Sequence, residues 1–366
     1  MIRKTYETNI YENPKPAVRS LQAAFPGLAL LPSNEIIALF VIGEAFEAAN
    51  TRAYISRSLD IGKTWQLQGQ LYNQQELGLG YQFSDYYKPT LLKDGSLVAV
   101  GYGFERHDPD KGIGDSETGA FLPGQNIVTF STDNGRTWSI PKKIDIGSDE
   151  VLELSGPCIQ LNSGKLISAG PPFSINKTNQ EGWVIESSDN GKTWKHLSNY
   201  FTAPGGNVAP WETRICEMQP DRVVALFWAY DTLNEKHLSN HLTVSHDGGK
   251  TWSKAIDTDH MGQASNLLWL GGNKLLTIHS HRAGEVGLYV RYIDFSNDKW
   301  NVQEEAVIWG KASAQDTSSN IVDQFAALKF GQPSLLRLND DEFIATHWCV
   351  ENCMYKIKTH RFIFKA

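Results

Sequence analysis

Four carboxylic acids lie at the borders of apolar runs that are typical of β-strands: Glu44, Asp85, Asp108 and Glu212. Two carboxyl groups on either side of a glycosidic bond can hydrolyse it, one protonated as the acid and one ionised as the base or nucleophile. Glu212 with any one of the other three could supply such a pair. For each acid alone, the alternative is a surface charge or a salt-bridge partner. The sequence therefore makes glycoside hydrolysis a hypothesis, with Glu212, Asp85 and Asp108 as candidate catalytic residues.

His279 and His281 alternate along one predicted strand, so we expect their side chains on the same face. Such a pair could bind a metal ion with a nearby acid, or transfer protons near neutral pH. Because no third ligand is visible in the sequence, we expect neither a metal ion nor a cofactor. His281 is the better candidate for catalysis or substrate contact, and a structural histidine is the alternative.

Aromatic, basic and amide side chains gather at the same kind of strand border. Aromatic faces can stack on sugar rings, and arginine and lysine bind anionic or hydroxyl-rich groups. The candidate substrate-binding residues are Lys88, Arg106, His107, Trp211, Trp228, Tyr230, Arg282, Gln332 and Trp348. Comparable positions without an assigned role are Glu47, Tyr86, Tyr87, Glu153, Asp231, Gln263, His347 and Glu351. For the aromatic residues, the alternative is packing between sheets.

The elements that must position these residues are repeated along the chain. The pattern Ser-x-Asp-x-Gly-x-Thr-Trp occurs at residues 58–65, 131–138, 187–194 and 245–252, with a degraded copy at 294–300. Aspartate accepts hydrogen bonds from turn amides, and glycine supplies a positive φ. We expect each tryptophan to fold back as an apolar plug between neighbouring sheets. The same acid repeated at successive turns is typical of a structural latch rather than of a catalytic residue.

The spacing of this repeat predicts the fold. Successive repeat tryptophans lie 48 to 73 residues apart, which is room for four short strands, the unit of a propeller blade. An element made of two apolar strands around a turn begins near Ala24, Asp85, Ser155, Trp211, Gln263 and Gln332. These six copies predict an all-β, six-bladed β-propeller with four-stranded antiparallel blades. The last blade has no such turn, so a strand from the first twenty residues should complete it and close the ring.

Residues 104–125 interrupt the second blade with Asp, Gly, Pro and charged residues. Long irregular insertions in compact domains tend to be functional. We predict that this segment forms a rim or lid over the centre of the ring, with Arg106, His107 and Asp108 at its base. Because blades stabilise one another only when the ring is closed, we expect residues 1–366 to form a single domain.

The Asp-box turns, together with Phe25-Pro26 opening the first inner strand, resemble the sialidase superfamily. The resemblance covers most of the chain. It implies that the Asp boxes lie on the face opposite the active site. The site would then be built from the starts of the innermost strands and from the loops that join the second and third strands. Since one fold supports many functions, the resemblance implies the architecture more strongly than the reaction.

The chain departs from the sialidase pattern at the residues that bind the substrate carboxylate. Sialidases hold it with three arginines, a bidentate task that lysine does not perform, and Ala24 and Trp228 stand in place of the first two. Arg282 corresponds to the third, in a loose alignment. Gln332 replaces the tyrosine nucleophile, whereas Glu212 matches the glutamate that partners it. The resemblance thus implies a sialidase-like protein with a substrate other than a typical sialoside.

Composition limits the partners that we expect. The net charge is −7 and no long basic run occurs, which argues against nucleic acid or an anionic membrane as a partner. No apolar stretch reaches the length of a membrane helix, and the first residues predict no signal peptide. The four cysteines form no CxxC pair and are typical of inert thiols in a reducing compartment, although Cys349 and Cys353 could pair. We expect a cytoplasmic protein; the oligomeric state is not predicted.

Three functional hypotheses remain open at this stage. The first is a glycoside hydrolase that acts on an oligosaccharide at the centre of the ring. The second is a polysaccharide lyase in which His281 or a tyrosine abstracts the proton α to a uronate. The third is a propeller that binds carbohydrate or protein without catalysis. Opposed acids would favour the first, a His–Tyr pair the second, and an acid-poor centre with exposed aromatic residues the third.

Overall fold

Antiparallel sheets follow one another along the chain of the computed structural model, which describes residues 1–115, 118–173, 178–282, 284–310, 324 and 328–365. The first blade comprises β2 (Gln22–Leu30), β3 (Ile36–Gly43), β4 (Arg52–Ser58) and β5 (Gln66–Gln70). The second comprises β6 (Gln82–Leu91), β7 (Leu97–Arg106), β8 (Gly124–Ser131) and β9 (Lys142–Lys143). The third comprises β10 (Ile159–Gln160), β11 (Leu166–Gly170), β12 (Glu181–Ser187) and β13 (Lys195–Thr202).

The remaining three blades repeat this order. The fourth comprises β14 (Val208–Gln219), β15 (Arg222–Asp231), β17 (His241–Ser245) and β18 (Ile256–Asp257), with β16 (Lys236–His237) beside β15. The fifth comprises β19 (Ser265–Gly271), β20 (Lys274–His281), β21 (Gly287–Asp294) and β22 (Asn301–Gly310). The sixth comprises β23 (Phe330–Arg337), β24 (Glu342–Glu351), β25 (Met354–Ile363) and β1 (Arg3–Glu12). Short 3-10 turns occur at Gln74–Leu77, Pro204–Gly206 and Ser296–Asp298.

The all-β, six-bladed propeller predicted from the sequence is therefore confirmed. Four of the predicted blade starts, Ala24, Asp85, Trp211 and Gln332, lie within the innermost strands β2, β6, β14 and β23. Ser155 and Gln263 lie a few residues before β10 and β19. The described part of the chain contains no helix long and apolar enough to cross a membrane.

The ring is closed by the N-terminal strand. β1 pairs antiparallel with β25, with Thr8 opposite Thr359, and thereby becomes the outermost strand of the sixth blade. One blade is thus assembled from both ends of the chain, as the missing turn in the last repeat predicted.

The core lies between the blades. The buried clusters of apolar side chains are each shared by neighbouring sheets, and second strands such as β3 are buried along their whole length. Because a sheet inside the ring is covered on both faces, these strands are continuous apolar runs rather than alternating ones. The repeat tryptophans extend these clusters toward the preceding blade: Trp138 packs with Ile37 and Leu39 of the first blade, and Trp252 with Ile167 of the third.

Each Asp box fixes its own turn through side-chain hydrogen bonds. In the first box, the Asp60 carboxylate accepts hydrogen bonds from the Thr64 amide at 2.8 Å and the Thr64 hydroxyl at 2.7 Å. Ser58 Oγ accepts one from the Gly62 amide at 2.7 Å, and Gly62 has φ +80°. The hydrogen bonds from Thr64 lower the pKa of Asp60 to about 2. Asp133, Asp189 and Asp247 repeat the arrangement, so the prediction of a structural latch is confirmed.

We expect Asp189→Ala to lower the free energy of unfolding by about 1–3 kcal/mol, because the Thr193 amide and hydroxyl lose their shared acceptor. Hydrogen bonds from Thr193 lower the pKa of Asp189 to about 2. The stabilisation should therefore be complete above about pH 4 and should decline as the pH falls toward 2. Denaturant unfolding at several pH values measures both effects. Asp149→Ala removes an exposed carboxylate outside the boxes and is the matched control; an equal loss of stability in both variants would contradict the latch role.

Candidate functional site

A cavity of about 160 Å³ lies where the innermost strands of several blades converge. All six blades contribute to its lining, through their strands or through the loops that flank them. The lining residues are Phe25, Phe46, Glu47, Tyr86, Tyr102, Phe104, Ile113, Gly114, Phe121, Glu153, Pro172, Phe173, Trp211, Glu212, Trp228, Arg282, Leu328, Gln332 and Trp348. Aromatic rings dominate this lining, and the polar groups among them are few.

Three innermost strands share an uncommon backbone geometry at the cavity. Phe25, Glu212 and Gln332 have φ values of +59°, +48° and +41°. Each lies at a break in strand register, in β2, β14 and β23 respectively. Bulky residues in the left-handed region cost roughly 1–3 kcal/mol each, and such strain tends to occur at functional sites. The bulges turn these three side chains toward the centre of the ring.

Glu153 and Glu212 lie side by side at the cavity. The Glu212 amide donates a hydrogen bond to Glu153 Oε2 at 3.2 Å. Burial and the neighbouring charge of Glu212 raise the pKa of Glu153 to about 8, so Glu153 holds a proton at neutral pH. Arg214 connects the chain segments that carry the two acids. Its Nη1 donates hydrogen bonds to the Glu212 carbonyl and to Oγ of Ser155, two residues after Glu153, both at 3.0 Å.

Gln332 holds the Glu212 carboxylate in place. Its amide Nε2 donates to Glu212 Oε1 at 2.6 Å, and its own Oε1 accepts a hydrogen bond from Lys88 Nζ at 3.2 Å. Lys88 also donates to the carbonyls of Phe25 and Pro26, at 2.7 and 2.9 Å. Burial lowers the pKa of Lys88 well below its usual range. Glu212 Oε2 is buried and has no hydrogen-bond partner among the described residues. The protein thus orients one carboxylate oxygen and leaves the other without a hydrogen bond from that part of the chain.

Arg282 is the arginine of the cavity lining, and the protein already occupies its nitrogens. Nε and Nη2 donate to the Phe330 carbonyl at 3.1 and 2.7 Å, and Nη1 donates to Gln263 Oε1. Its guanidinium lies over the Trp228 ring, 5.9 Å from the centroid. Burial lowers the pKa of Arg282 to about 10, so the group stays charged at neutral pH. A side chain at Gly331 would collide with the guanidinium, which explains the glycine there.

Aromatic rings form a continuous wall across the cavity. Phe25 contacts Phe46 and Tyr86 at centroid distances of 5.1 and 5.4 Å, and Phe46 contacts Trp348 at 5.2 Å. Tyr86 stacks on Tyr102 at 5.1 Å. We call Phe25, Phe46, Tyr86 and Trp348 the aromatic wall.

Six of the thirteen residues that the sequence singled out line the cavity: Glu212, Trp211, Trp228, Arg282, Gln332 and Trp348. Two others support it from outside. Tyr230 stacks on Trp211 at 4.6 Å, and Lys88 donates a hydrogen bond to Gln332.

Asp85 does not reach the cavity. It is completely buried, accepting hydrogen bonds from the Ala53 amide at 3.1 Å and from the Tyr72 hydroxyl at 2.5 Å. Burial raises the pKa of Asp85. Strand β6 pairs with β7 without a register break, so Asp85 faces the first blade instead of the centre. The sequence predicts a catalytic role for Asp85, but the structure buries its side chain between the first two blades, away from the cavity.

The base of the 104–125 segment also lies outside the cavity. Asp108 and His107 are exposed, and His107 Nε2 pairs with Glu105 at 3.0 Å. Arg106 is buried and donates to the Lys111 carbonyl at 2.5 Å. The described middle of the segment does reach the site, because Ile113, Gly114 and Phe121 contribute to the lining.

His279 and His281 lie on one strand face, as predicted, and both contact the Tyr289 ring. Neither lines the cavity. His281 Nδ1 hydrogen bonds to the Glu285 carbonyl at 2.9 Å, and His279 is buried against His260. Among the described residues, no three His, Cys, Asp or Glu side chains are grouped so that they could hold a metal ion.

Several residues of the cavity lining have no role predicted from the sequence. Glu153, Glu47 and Tyr86 lie at strand borders, and Phe25 is distinguished only by the Phe25-Pro26 pair. Proline cannot donate to a ladder and marks edges or bulges, and Pro26 and Pro333 follow two of the three left-handed residues. A proline in an innermost strand does not by itself predict a bulge, since Pro89 lies in strand β6, which pairs without a register break.

Comparison with known proteins supports the fold assignment. Residues 243–254, which contain the fourth Asp box, match the BNR/Asp-box repeat family. No curated protein matches the chain significantly. A protein of unknown function from Dyadobacter fermentans DSM 18053 is 20% identical with a TM-score of 0.77, covering 100% of this chain and 99% of that one.

Sialidase structures are similar at lower identity. The NanB sialidase from Streptococcus pneumoniae is 14% identical with a TM-score of 0.66, covering 97% of this chain and 70% of that one. The intramolecular trans-sialidase from Ruminococcus gnavus, solved with oseltamivir carboxylate, is 16% identical with a TM-score of 0.65, covering 97% of both chains. At these identities the likeness is one of fold.

The raised pKa of Glu153 predicts a pH-dependent stability. Glu153 ionises near pH 4.5 when unfolded and near pH 8 in the folded protein. Its contribution is fully present below about pH 4.5 and is lost as the pH rises toward 8, by at most about 1.4 kcal/mol per pH unit. We expect Glu153→Gln to remove this decline. Denaturant unfolding of both proteins between about pH 5 and pH 8 measures it, and parallel curves would contradict the assignment.

Proposed function

We propose that this sialidase-like Asp-box propeller is a glycoside hydrolase whose active site is the central cavity. Glu153, which holds a proton at neutral pH, would protonate the oxygen of the departing sugar. Glu212 would serve as base or nucleophile, or stabilise the positive charge that develops on the sugar ring. The observation that carries this proposal is the contact between Glu153 and Glu212, because burial and the neighbouring Glu212 raise the pKa of Glu153 and suit it to the role of the acid.

The arrangement around Glu212 favours a chemical role over a structural one. Gln332 and Arg214 fix the orientation of the residue through its carboxylate and carbonyl, while Oε2 has no hydrogen-bond partner. A strained backbone also holds the side chain in place. An enzyme gains from such preorganisation because the group does not have to reorient during the reaction.

The substrate in this proposal is an oligosaccharide other than a typical sialoside. Ala24 is buried and Trp228 is part of an aromatic cluster, so two sialidase arginine positions supply no positive charge. Arg282 is bound on all three nitrogens by Phe330 and Gln263. These features do not provide a three-arginine grip on a substrate carboxylate.

Carbohydrate binding without catalysis is the second candidate, favoured by the aromatic wall and the small number of polar groups in the cavity. A lyase reaction through His281 has less support, because that histidine hydrogen bonds to Glu285 outside the cavity. As part of the proposal, residues 1–366 act as one domain with 104–125 at its rim. The proposal also places the protein in a reducing cytoplasm, in keeping with its four free cysteines.

Purified protein should release the aglycone from at least one member of a panel of nitrophenyl glycosides and oligosaccharides. We expect Glu212→Gln and Glu153→Gln each to lower kcat/KM by at least about a hundredfold, because each removes one of the two proton-transfer roles. In the wild type, activity should decline above about pH 8 as Glu153 loses its proton.

Glu150→Gln changes an exposed acid in the same loop as Glu153 and should leave the kinetics unchanged. Full activity in Glu212→Gln would exclude its catalytic role. Binding of a sugar to both the wild type and Glu153→Gln, with no turnover in either, would favour the second candidate. Efficient release of sialic acid would contradict the proposed substrate class.

A further inference from the structure

The charged groups that face the cavity are mainly acidic. Glu47, Glu153, Glu212 and Arg282 are the ionisable acids and bases among the described lining residues, together with the two tyrosines. The Arg282 guanidinium is hydrogen bonded on each nitrogen to the protein, and the basic groups behind the lining, Arg214 and Lys88, are likewise engaged by protein oxygens. The carboxyl groups of Glu47 and Glu212 are therefore the charged groups of the described lining that keep an oxygen open to a ligand.

Glu47 is held at the cavity by the loop above it. Its Oε2 accepts a hydrogen bond from the Ile113 amide at 3.0 Å. The other carboxylate oxygen has no hydrogen bond among the described residues. Glu47 follows Phe46 in the chain. Burial raises the pKa of the Tyr86 hydroxyl, and the nearby charge of Glu47 raises it further. One carboxylate is therefore fixed beside the aromatic wall, and Glu212 approaches from the fourth blade.

Aromatic faces next to carboxylates form an environment that suits an organic cation. The negative face of each ring attracts positive charge, and the attraction grows to roughly 2 kcal/mol or more where water is excluded. A neutral ligand gains only contact with the rings, and an anion is repelled by Glu47 and Glu212. The order of preference in such a cavity is therefore cation, neutral molecule, anion.

We propose that the sugar recognised in this cavity carries a protonated amino group, which sits against the aromatic wall and is paired with Glu47. This inference rests on the proposed function for the sugar itself, while the cation preference follows from the cavity. An amino sugar, with a ring to stack and an ammonium group to pair, satisfies both features of the lining.

Binding of small probes tests the cation preference without depending on turnover or on sugar stereochemistry. Tetramethylammonium, tert-butanol and pivalate share a similar compact shape and carry charges of about +1, 0 and −1. Titration calorimetry or ligand-observed NMR on the full chain should give tetramethylammonium at least about tenfold tighter binding than tert-butanol, with pivalate weakest. Glucosamine should likewise bind more tightly than glucose or glucuronate.

Glu47→Gln should weaken tetramethylammonium binding by about tenfold and leave tert-butanol binding unchanged, since it removes one facing charge and retains an oxygen for the Ile113 amide. Glu44→Gln removes an exposed charge from the same loop and should change neither. If Glu47→Gln does not fold, the probe order in the wild type decides alone.

Pivalate or glucuronate binding as tightly as the cationic probes would overturn the inference, as would an unchanged probe order in folded Glu47→Gln. Hydrolysis of neutral glycosides without cation preference would overturn this inference and leave the proposed function standing. Cation preference without turnover of any glycoside would support this inference and contradict the proposed glycoside hydrolysis.

Discussion

The pairing of β1 with β25 is the contact on which the rest of the structure depends. Each sheet is apolar on both faces, so no blade can be stable alone, and burial is complete only when the last blade meets the first. β1 supplies the outer strand of that last blade across the register from Arg3 to Glu12. Ion pairs reinforce the seam, since Lys358 of β25 lies 2.7 Å from Glu7 of β1 and Lys356 lies 3.4 Å from Glu12. The six clusters of buried side chains between blades then form one continuous support around the centre.

That support is what allows strained backbone at the centre of the ring. Phe25, Glu212 and Gln332 occupy the left-handed region in strands from three different blades, a geometry that persists only when its surroundings determine it. The contacts that determine it cross between blades. Lys88 from the second blade bonds to the first at Phe25 and to the sixth at Gln332, and Gln332 bonds to Glu212 in the fourth. The orientation of the Glu212 carboxylate is therefore a property of the closed ring and not of any single strand.

The fold could be predicted from the sequence because its pattern repeats along the chain. The site could be predicted only in part, because each of its residues occurs once. The Asp boxes predicted the four-stranded blades and the tryptophan plugs, the repeated pair of apolar strands predicted six blades, and the lack of a box in the last blade predicted the ring closure. Each of these predictions rests on a local pattern that occurs several times in the chain. Asp85 and Glu212 both stand near the start of an innermost strand, and pattern alone gives them equal claims to the site. A bulge in β14 turns Glu212 inward, whereas the regular pairing of β6 leaves Asp85 between blades. Phe25, Glu212 and Gln332 have positive φ values without being glycines, so their residue types do not predict the bulges. The role of Glu153 depends on its contact with Glu212, which the sequence does not show.

The Asp-box turns and the central cavity follow different constraints. On the Asp-box face, four turns repeat the same hydrogen bonds to within a few tenths of an ångström, because every turn must latch one blade against its neighbour. On the opposite side, the side chains that face the centre differ widely from blade to blade, from Phe25 and Tyr86 to Glu153, Arg282 and Gln332. Ala24 packs into an apolar cluster and Trp228 packs against Trp211, so both support the fold without contributing charge. The lining can therefore vary residue by residue without disturbing the Asp-box turns, and in this chain it presents the carboxyl groups of Glu47, Glu153 and Glu212.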